Sequence, residues 1–280
     1  MSAIDPRATG PQSIDPQAVD PQPMDPRAIV SRSARLGQNV RVGAFAIVGD
    51  EVELGDGCIV ENHAVIGGPS RFGRNNHFHS FSAVGGDPQD LTYHGERAWL
   101  EAGEANEFRE FSTANRGTDK GGNVTRIGSH NLIMAYAHVA HDCLIGDRVV
   151  LENGAQLAGH THVEDYAIVC AFSLIHQFTR IGRHSYIGAN TVITQDVMPF
   201  SMVVAPRGTR CYGINAVGLE RRGYSPERIK AIEQAFRFLL RSKLNTAQAV
   251  EKMRGTLAHS EDVQLLIQFI ESATGRGLTK

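Results

Sequence analysis

The chain has 280 residues, 41% of them hydrophobic, and a formal charge of −2 from 28 Lys+Arg against 30 Asp+Glu. That length fills a substantial core in one or two domains, and the balanced charge excludes the broad basic footprint of a general nucleic-acid binder. No apolar run reaches the roughly 18 residues of a membrane span, and the N-terminus lacks the basic-then-apolar order of a secretory signal. Cys58, Cys143, Cys170 and Cys211 have neither zinc-finger nor redox spacing, so a reduced, cytoplasmic protein is expected.

Residues 1–23 repeat an Asp-Pro phrase (Ile4-Asp5-Pro6, Ile14-Asp15-Pro16, Val19-Asp20-Pro21), and Met24-Asp25-Pro26 leads into the ordered pattern. Proline withholds backbone donors and the segment is too polar to bury itself, so 1–23 reads as a flexible tail, with a partner-binding arm as the alternative. Met24 is a second candidate start.

A period of six then governs the chain. Stepping by six from Val30 meets Leu36, Val42, Val48, Leu54, Val60, Ile66, Phe72, Phe78 and Val84, and the phase resumes at Ala102, Phe108 and Ala114. After a slip of one residue it restarts at Ile127 and runs unbroken to Ile193, stopping near Pro199. Two residues before each anchor lies a second row of small, β-branched or short polar side chains, Cys58 and Cys143 among them, and positions i−2 and i share one side of a strand. Strict sixes do not fit the 3.6 period of a helix. They predict a parallel β-helix of hexapeptide repeats over 24–205, each hexad a short strand and a corner where glycine relieves strain. Residues 85–101 and 116–126 interrupt the pattern and should project as loops, favoured places for function.

The segment 206–280 reads as a helical domain. Ser225-Pro226 is a helix start, Thr246 and Ser260 are further candidate caps, and Gly255 and Gly275 are candidate stops. Between Arg221 and Lys243, seven basic residues stand against Glu227 and Glu233. The bland reading is a solvated helix face; the sharper one is a dock for an acidic partner.

Twelve histidines are many for one domain. Three hexads to a turn, as in the known hexapeptide prisms that this pattern resembles, put Gly159 over His141 and His160 over Asp142. A candidate base thus meets a glycine amide, with a carboxylate to orient an imidazole. His138 should point outward, and His141, His160 and His176 should sit at corners or outer faces. A zinc site needs three converging neutral imidazoles, which the His138/His141 pair with Gly159 above suits poorly. General-base acyl transfer and plain surface histidines remain.

Several stretches then resemble the acyl-[acyl-carrier-protein]–UDP-N-acetylglucosamine O-acyltransferases, which open lipid A synthesis: Gly86–Tyr93, Asn115–Thr118, His138–Cys143, Leu157–His160, His176–Phe178 and Gly218–Gly223. The resemblance implies a left-handed prism, a homotrimer with sites between neighbours, and transfer of a 3-hydroxyacyl chain from acyl carrier protein to the sugar 3-hydroxyl, with no metal or other cofactor. It makes His141 the general base, Asp142 its carboxylate and Gly159 the oxyanion donor. Asp90, Gln89, His138, His160, His176, Gln177 and Arg221 become contacts to the sugar nucleotide or acyl chain. The acidic carrier accounts for the basic helical segment.

Thr92 stands where the family usually has lysine, and Val217 where many members are acidic. Ala189 replaces a glycine that ends the acyl pocket, with Tyr186 nearby, so a somewhat shortened pocket is expected. The alternatives are the related N-acyltransferase of the same pathway, a metal-dependent hydratase on the same fold, and a non-catalytic binding prism.

Overall fold

The computed structural model describes residues 23–204, 210–273 and 277–279. The Asp-Pro tail to residue 22 and the stop at Gly275 lie outside them. From Ile29 the chain coils through short strands that, among the described residues, add in turn to three sheets of nine, eight and ten strands, parallel throughout except for the last strand of the third. The first face begins at Ile29–Val30, the second at Arg35–Leu36 and the third at Arg41–Val42. Successive turns pair in register three hexads apart, as in Val48 with Ile66 and Val139 with Leu157. From Val42 onward each hexad therefore buries its anchor, with Val48, Val60, Ile66, Phe78, Leu157 and Ile187 all within 1% of full burial, while Val30 and Leu36 at the first turn are half-buried.

The predicted second inward row is buried too beyond Ala28 and Ala34, and its asparagines hand hydrogen bonds from turn to turn, although Asn131 Nδ2 has no partner among the described residues. Asn76 Nδ2 donates to Gly73 O and Gly103 O at 2.9 and 2.8 Å, Asn106 N to Asn76 Oδ1 at 3.0 Å, and Asn131 N to Asn106 Oδ1 at 2.9 Å. An inward asparagine thus caps corner backbone groups that would cost about 1–3 kcal/mol each if buried unpaired.

The corners correct one expectation in part. Left-handed backbone falls mostly on non-glycine residues such as Phe45, Glu51, Asp142 and His160, with φ between 53° and 60°, while Gly57, Gly85 and Gly154 take it at 68° to 85° as expected. Other glycines after the anchors serve close stacking instead: a Cβ on Gly55 would lie 2.6 Å from the Gly73 carbonyl.

Both interruptions project from the edge between the first and second faces. The first follows Ala83–Gly86 and rejoins at Trp99–Ala102; it lengthens the turn to five hexads, so Ala102 pairs with Phe72. The second follows Thr113–Asn115, holds a single 3-10 turn at Asp119–Gly121 and rejoins at Val124–Ile127. Its turn exceeds four hexads by a single residue and pairs Ile127 with Ala102, which is the slip. The coil also outlasts Pro199. Ser201–Val204 adds a further parallel strand with Met202 beside Tyr186, and Arg210–Ile214 returns antiparallel beside it. That last turn is shorter than three hexads and breaks the period, which is why spacing did not reveal it.

Four helices cover that end: α1 (Ala216–Arg221), α2 (Pro226–Leu240), α3 (Thr246–Thr256) and α4 (Glu261–Glu271). Ser225 and Ser260 cap α2 and α4 as expected. The cap of α3 is Asn245 rather than Thr246, because Asn245 and Gln248 form a reciprocal capping box. Gly255 lies inside the last turn of α3 and does not end it. Among the basic residues, Arg228 forks onto Asp262 at 2.8 and 2.9 Å, and Arg222 lies over the Tyr166 ring at 4.9 Å. These two fasten helices to each other and to the prism. No helix among the described residues is long and apolar enough to cross a membrane.

Candidate active site

The edge that carries both loops also carries the histidine motif, one turn further along. The strand His138–Val139 buries Val139 inward and ends at the corner His141-Asp142. Asp142 adopts φ 60° and is 5% exposed, which turns its carboxylate toward the base of the second loop. There Thr118 N donates to Oδ1 at 2.7 Å and Thr118 Oγ1 to Oδ2 at 2.6 Å. His141 Nδ1 meets Oδ2 at 2.8 Å. The carboxylate accepts, so in the neutral imidazole Nδ1 is the nitrogen that carries the proton and Nε2 the one with the lone pair.

One turn up, Gly159 lies against that imidazole. A Cβ at Gly159 would stand 2.6 Å from His141 Cε1 and 2.8 Å from Nε2, so the corner admits no side chain there. Its N–H has no hydrogen-bond acceptor among the described residues. His160 N donates to His141 O at 3.0 Å, and His160 Nε2 stands 3.5 Å from Asp142 Oδ2. The His160 ring stacks on Phe178 at 4.4 Å, a further turn up. Burial pulls the His160 pKa down and outweighs the neighbouring Asp142. The stacking expected from three hexads to a turn thus holds in side-chain detail.

The first loop closes the other side. Arg116, 9% exposed, donates to Gly68 O and to Asp87, while Asn115 Nδ2 holds Asp87 O at 2.6 Å. The anchored loop places Asp90 within electrostatic reach of His141 and His160. Asp90 Oδ1 accepts from Thr92 N and Oγ1, both at 2.9 Å, and these bonds hold its carboxyl below the ordinary range. Lys120 Nζ, from the second loop, donates to Thr92 Oγ1. Neither Lys120 nor the Thr118 bridge was singled out by spacing; only the loop that holds them was.

His138 points outward as expected, yet the adjoining turns half-bury it. Its Nδ1 meets Thr113 Oγ1 at 2.7 Å, and burial lowers its pKa, with His141 adding to the effect. Gln89, His176 and Gln177 are exposed on the same edge. Three expected contacts lie elsewhere in the chain. Tyr186 is on the third face, opposite this edge, and Ala189 is at the corner between the third and first faces. Arg221 is exposed at the end of α1, beyond the last coil.

His141, Asp142 and His160 offer metal-ligand atoms within 4.8 Å of one another. Both Asp142 oxygens are already committed to Thr118 and His141 protons, an arrangement that suits an oriented base better than a cation. An imidazole with a fixed tautomer beside a peptide N–H, on a stack of hexapeptide turns, defines the class of β-helix acyltransferases.

Comparisons with known proteins narrow the class. The model for bacterial transferase hexapeptide repeats matches residues 33–68 and 125–159, and one described as UDP N-acetylglucosamine O-acyltransferase, domain 2, matches 196–279. The chain is 46% identical to the acyl-[acyl-carrier-protein]–UDP-N-acetylglucosamine O-acyltransferase of Xylella fastidiosa over 246 residues, 88% of this chain and 94% of that one. It is 44% identical to the enzyme of the same name from Halorhodospira halophila over 253 residues, 90% and 97% of the two chains. Among solved structures, LpxA from Acinetobacter baumannii superposes with a TM-score of 0.89 at 36% identity, covering 92% of this chain and all of that one. The UDP-N-acetylglucosamine acyltransferase of Francisella novicida gives 0.88 at 34%, covering 91% and 93%. The chain belongs to the acyl-[acyl-carrier-protein]–UDP-N-acetylglucosamine O-acyltransferase family.

Proposed function

We infer that this chain transfers a 3-hydroxyacyl group from acyl carrier protein to the 3-hydroxyl of UDP-N-acetylglucosamine, the first step of lipid A synthesis. The observation that carries the mechanism is the His141–Asp142 contact of 2.8 Å beneath the Gly159 corner. His141 Nε2 takes the proton of the sugar hydroxyl as its oxygen attacks the thioester carbonyl. The Gly159 N–H stabilises the oxyanion. As the C–S bond breaks, the imidazolium returns the proton to the leaving sulfur. Asp142, held by Thr118, fixes the tautomer and offsets the transient charge.

Asp90, Gln89, His138, His160, His176 and Gln177 contact the sugar nucleotide or acyl chain along the same edge. Lys120 supplies, through Thr92, a cation facing the diphosphate. A homotrimer brings Arg221, Tyr186 and Ala189 of a neighbour to the cleft. The exposed basic residues left after Arg222 and Arg228 are committed (Arg221, Lys230, Arg237, Arg241, Lys243) receive the acidic carrier in the cytoplasm. The test is incubation with UDP-N-acetylglucosamine and a panel of 3-hydroxyacyl carrier-protein thioesters, with products read by mass. An acylated sugar nucleotide is expected. Binding without turnover would leave a scaffold, and transfer only to a sugar nucleotide with a free 2-amino group would favour the sister N-acyltransferase.

A further inference from the structure

A second cluster of histidines and carboxylates lies on the outer side of the third face, away from the dyad. In the strand His77–Phe78, Phe78 is buried and His77 faces out; His79, just past it, faces the same way. Register puts Glu107 one turn above His77 and Glu61 one turn below His79. The two rings stack at 3.8 Å with 26° between their planes. Their side chains are only 23% and 14% exposed, so they are held yet reachable.

The contacts cross. His77 Nε2 meets Glu61 Oε1 at 2.8 Å, and His79 Nε2 meets Glu107 Oε2 at 2.7 Å. His79 Nδ1 stands 3.4 Å from Glu61 Oε1, and His77 Nδ1 stands 3.4 Å from Glu107 Oε2. All four ring nitrogens therefore face carboxylate oxygens, yet a neutral imidazole has one N–H. Two neutral rings fill only the two short contacts and leave two lone pairs aimed at anionic oxygens. Glu61 Oε1 faces both His77 Nε2 and His79 Nδ1, and Glu107 Oε2 faces the other two ring nitrogens. One divalent ion held by the first three atoms would use both lone pairs and leave each remaining N–H the Glu107 carboxylate as acceptor. The longer spacing of 3.4 Å is also about the edge of a tetrahedron with bonds of about 2.1 Å.

We propose that Glu61, His77 and His79 bind one divalent ion of the borderline class, Zn²⁺, Co²⁺ or Ni²⁺, with Glu107 beside it. Their ligand atoms lie within 4.8 Å of one another. Mixed imidazole and carboxylate donors select this class over Mg²⁺ or Ca²⁺, which favour oxygen alone. The ion ties two successive turns of the third face together and is independent of the acyl-transfer reading.

The probe is Co²⁺ added to full-length protein stripped with a chelator, followed by visible absorption and thermal midpoint. One Co²⁺ per chain is expected, with visible bands and a raised midpoint. The His77→Gln, His79→Gln double variant should bind more than about tenfold more weakly and lose the rise. His141→Ala, which removes the other histidine cluster, should change neither. Glu61→Gln, which keeps the packing, repeats the test should the double variant misfold by circular dichroism. Failure to saturate below about 0.1 mM, retention of binding by the ligand variants, or loss of binding only in His141→Ala would each overturn the site.

Discussion

Two edges of the same prism repeat one backbone device and use it oppositely. Between the third and first faces, Phe45, His63, Phe81, Phe111 and Tyr136 occupy left-handed corners and stack ring on ring at 5.0 to 5.2 Å. Between the first and second faces, Asp142, His160 and Phe178 occupy the equivalent corners with φ of 60° to 62°. The backbone is common to both, so it does not create the chemistry. The active edge differs in its side chains and in the two loops that emerge below His141. Those loops lower exposure, supply Thr118 and bring Asp90 close. The aromatic edge receives no insertion and stays a smooth ladder.

The sharpest way to break this comparison is His141→Ala. Loss of a positioned base should cost about 10²–10⁴ in kcat for acyl transfer; near-native turnover in a folded variant would equate the two edges. The third edge gives the next test. There His184, 6% exposed, stacks between Tyr166 at 4.7 Å and Phe200 at 5.8 Å, with Tyr224 OH 3.0 Å from Nε2. Burial drives its pKa down to about 4. The unfolded chain takes up the proton near pH 6.5, so stability is full above that pH and declines as pH falls toward about 4. The loss reaches about 3 kcal/mol. Thermal midpoints from pH 7 to 4.5 should fall less steeply in His184→Phe, which keeps the stack without the titration.

Gly159→Ala forces the His141 ring aside by its Cβ, 2.6 Å from Cε1. A displacement approaching about 1 Å should reduce kcat about a hundredfold with little change in thermal midpoint. The smallest effect belongs to the ladder. Phe111→Ala gives up stacking on both sides, about 1 kcal/mol. Phe111→Gly should be nearly neutral, because relief of left-handed strain, about 1 kcal/mol, offsets that loss. Neither should alter transfer; a large drop in kcat would mean that the ladder belongs to the site.

The comparison also separates what a linear reading can see. The inward rows, the slip before Ile127 and the stacking of Gly159 on His141 follow from counting, because in-register parallel strands convert sequence distance into neighbourhood. Counting fails where a turn changes length, as between Tyr186–Ile187 and Ser201–Val204. It fails also where a cap is chosen by a reciprocal bond, as at Asn245. Lys120 and the bond by which Thr118 holds Asp142 escaped because a loop folds back by contacts that no period encodes. The positions of Tyr186, Ala189 and Arg221 followed from a resemblance, and one prism does not gather them at His141.

Equal turns have one more consequence. Height along the prism is quantised: His141, Gly159 and Gln177 stand at successive levels about 4.8 Å apart. An elongated substrate laid along the edge meets graduations instead of a continuous wall. A single corner substitution can therefore move a stop by one whole mark while leaving the levels beneath undisturbed, so length preference should evolve in discrete jumps.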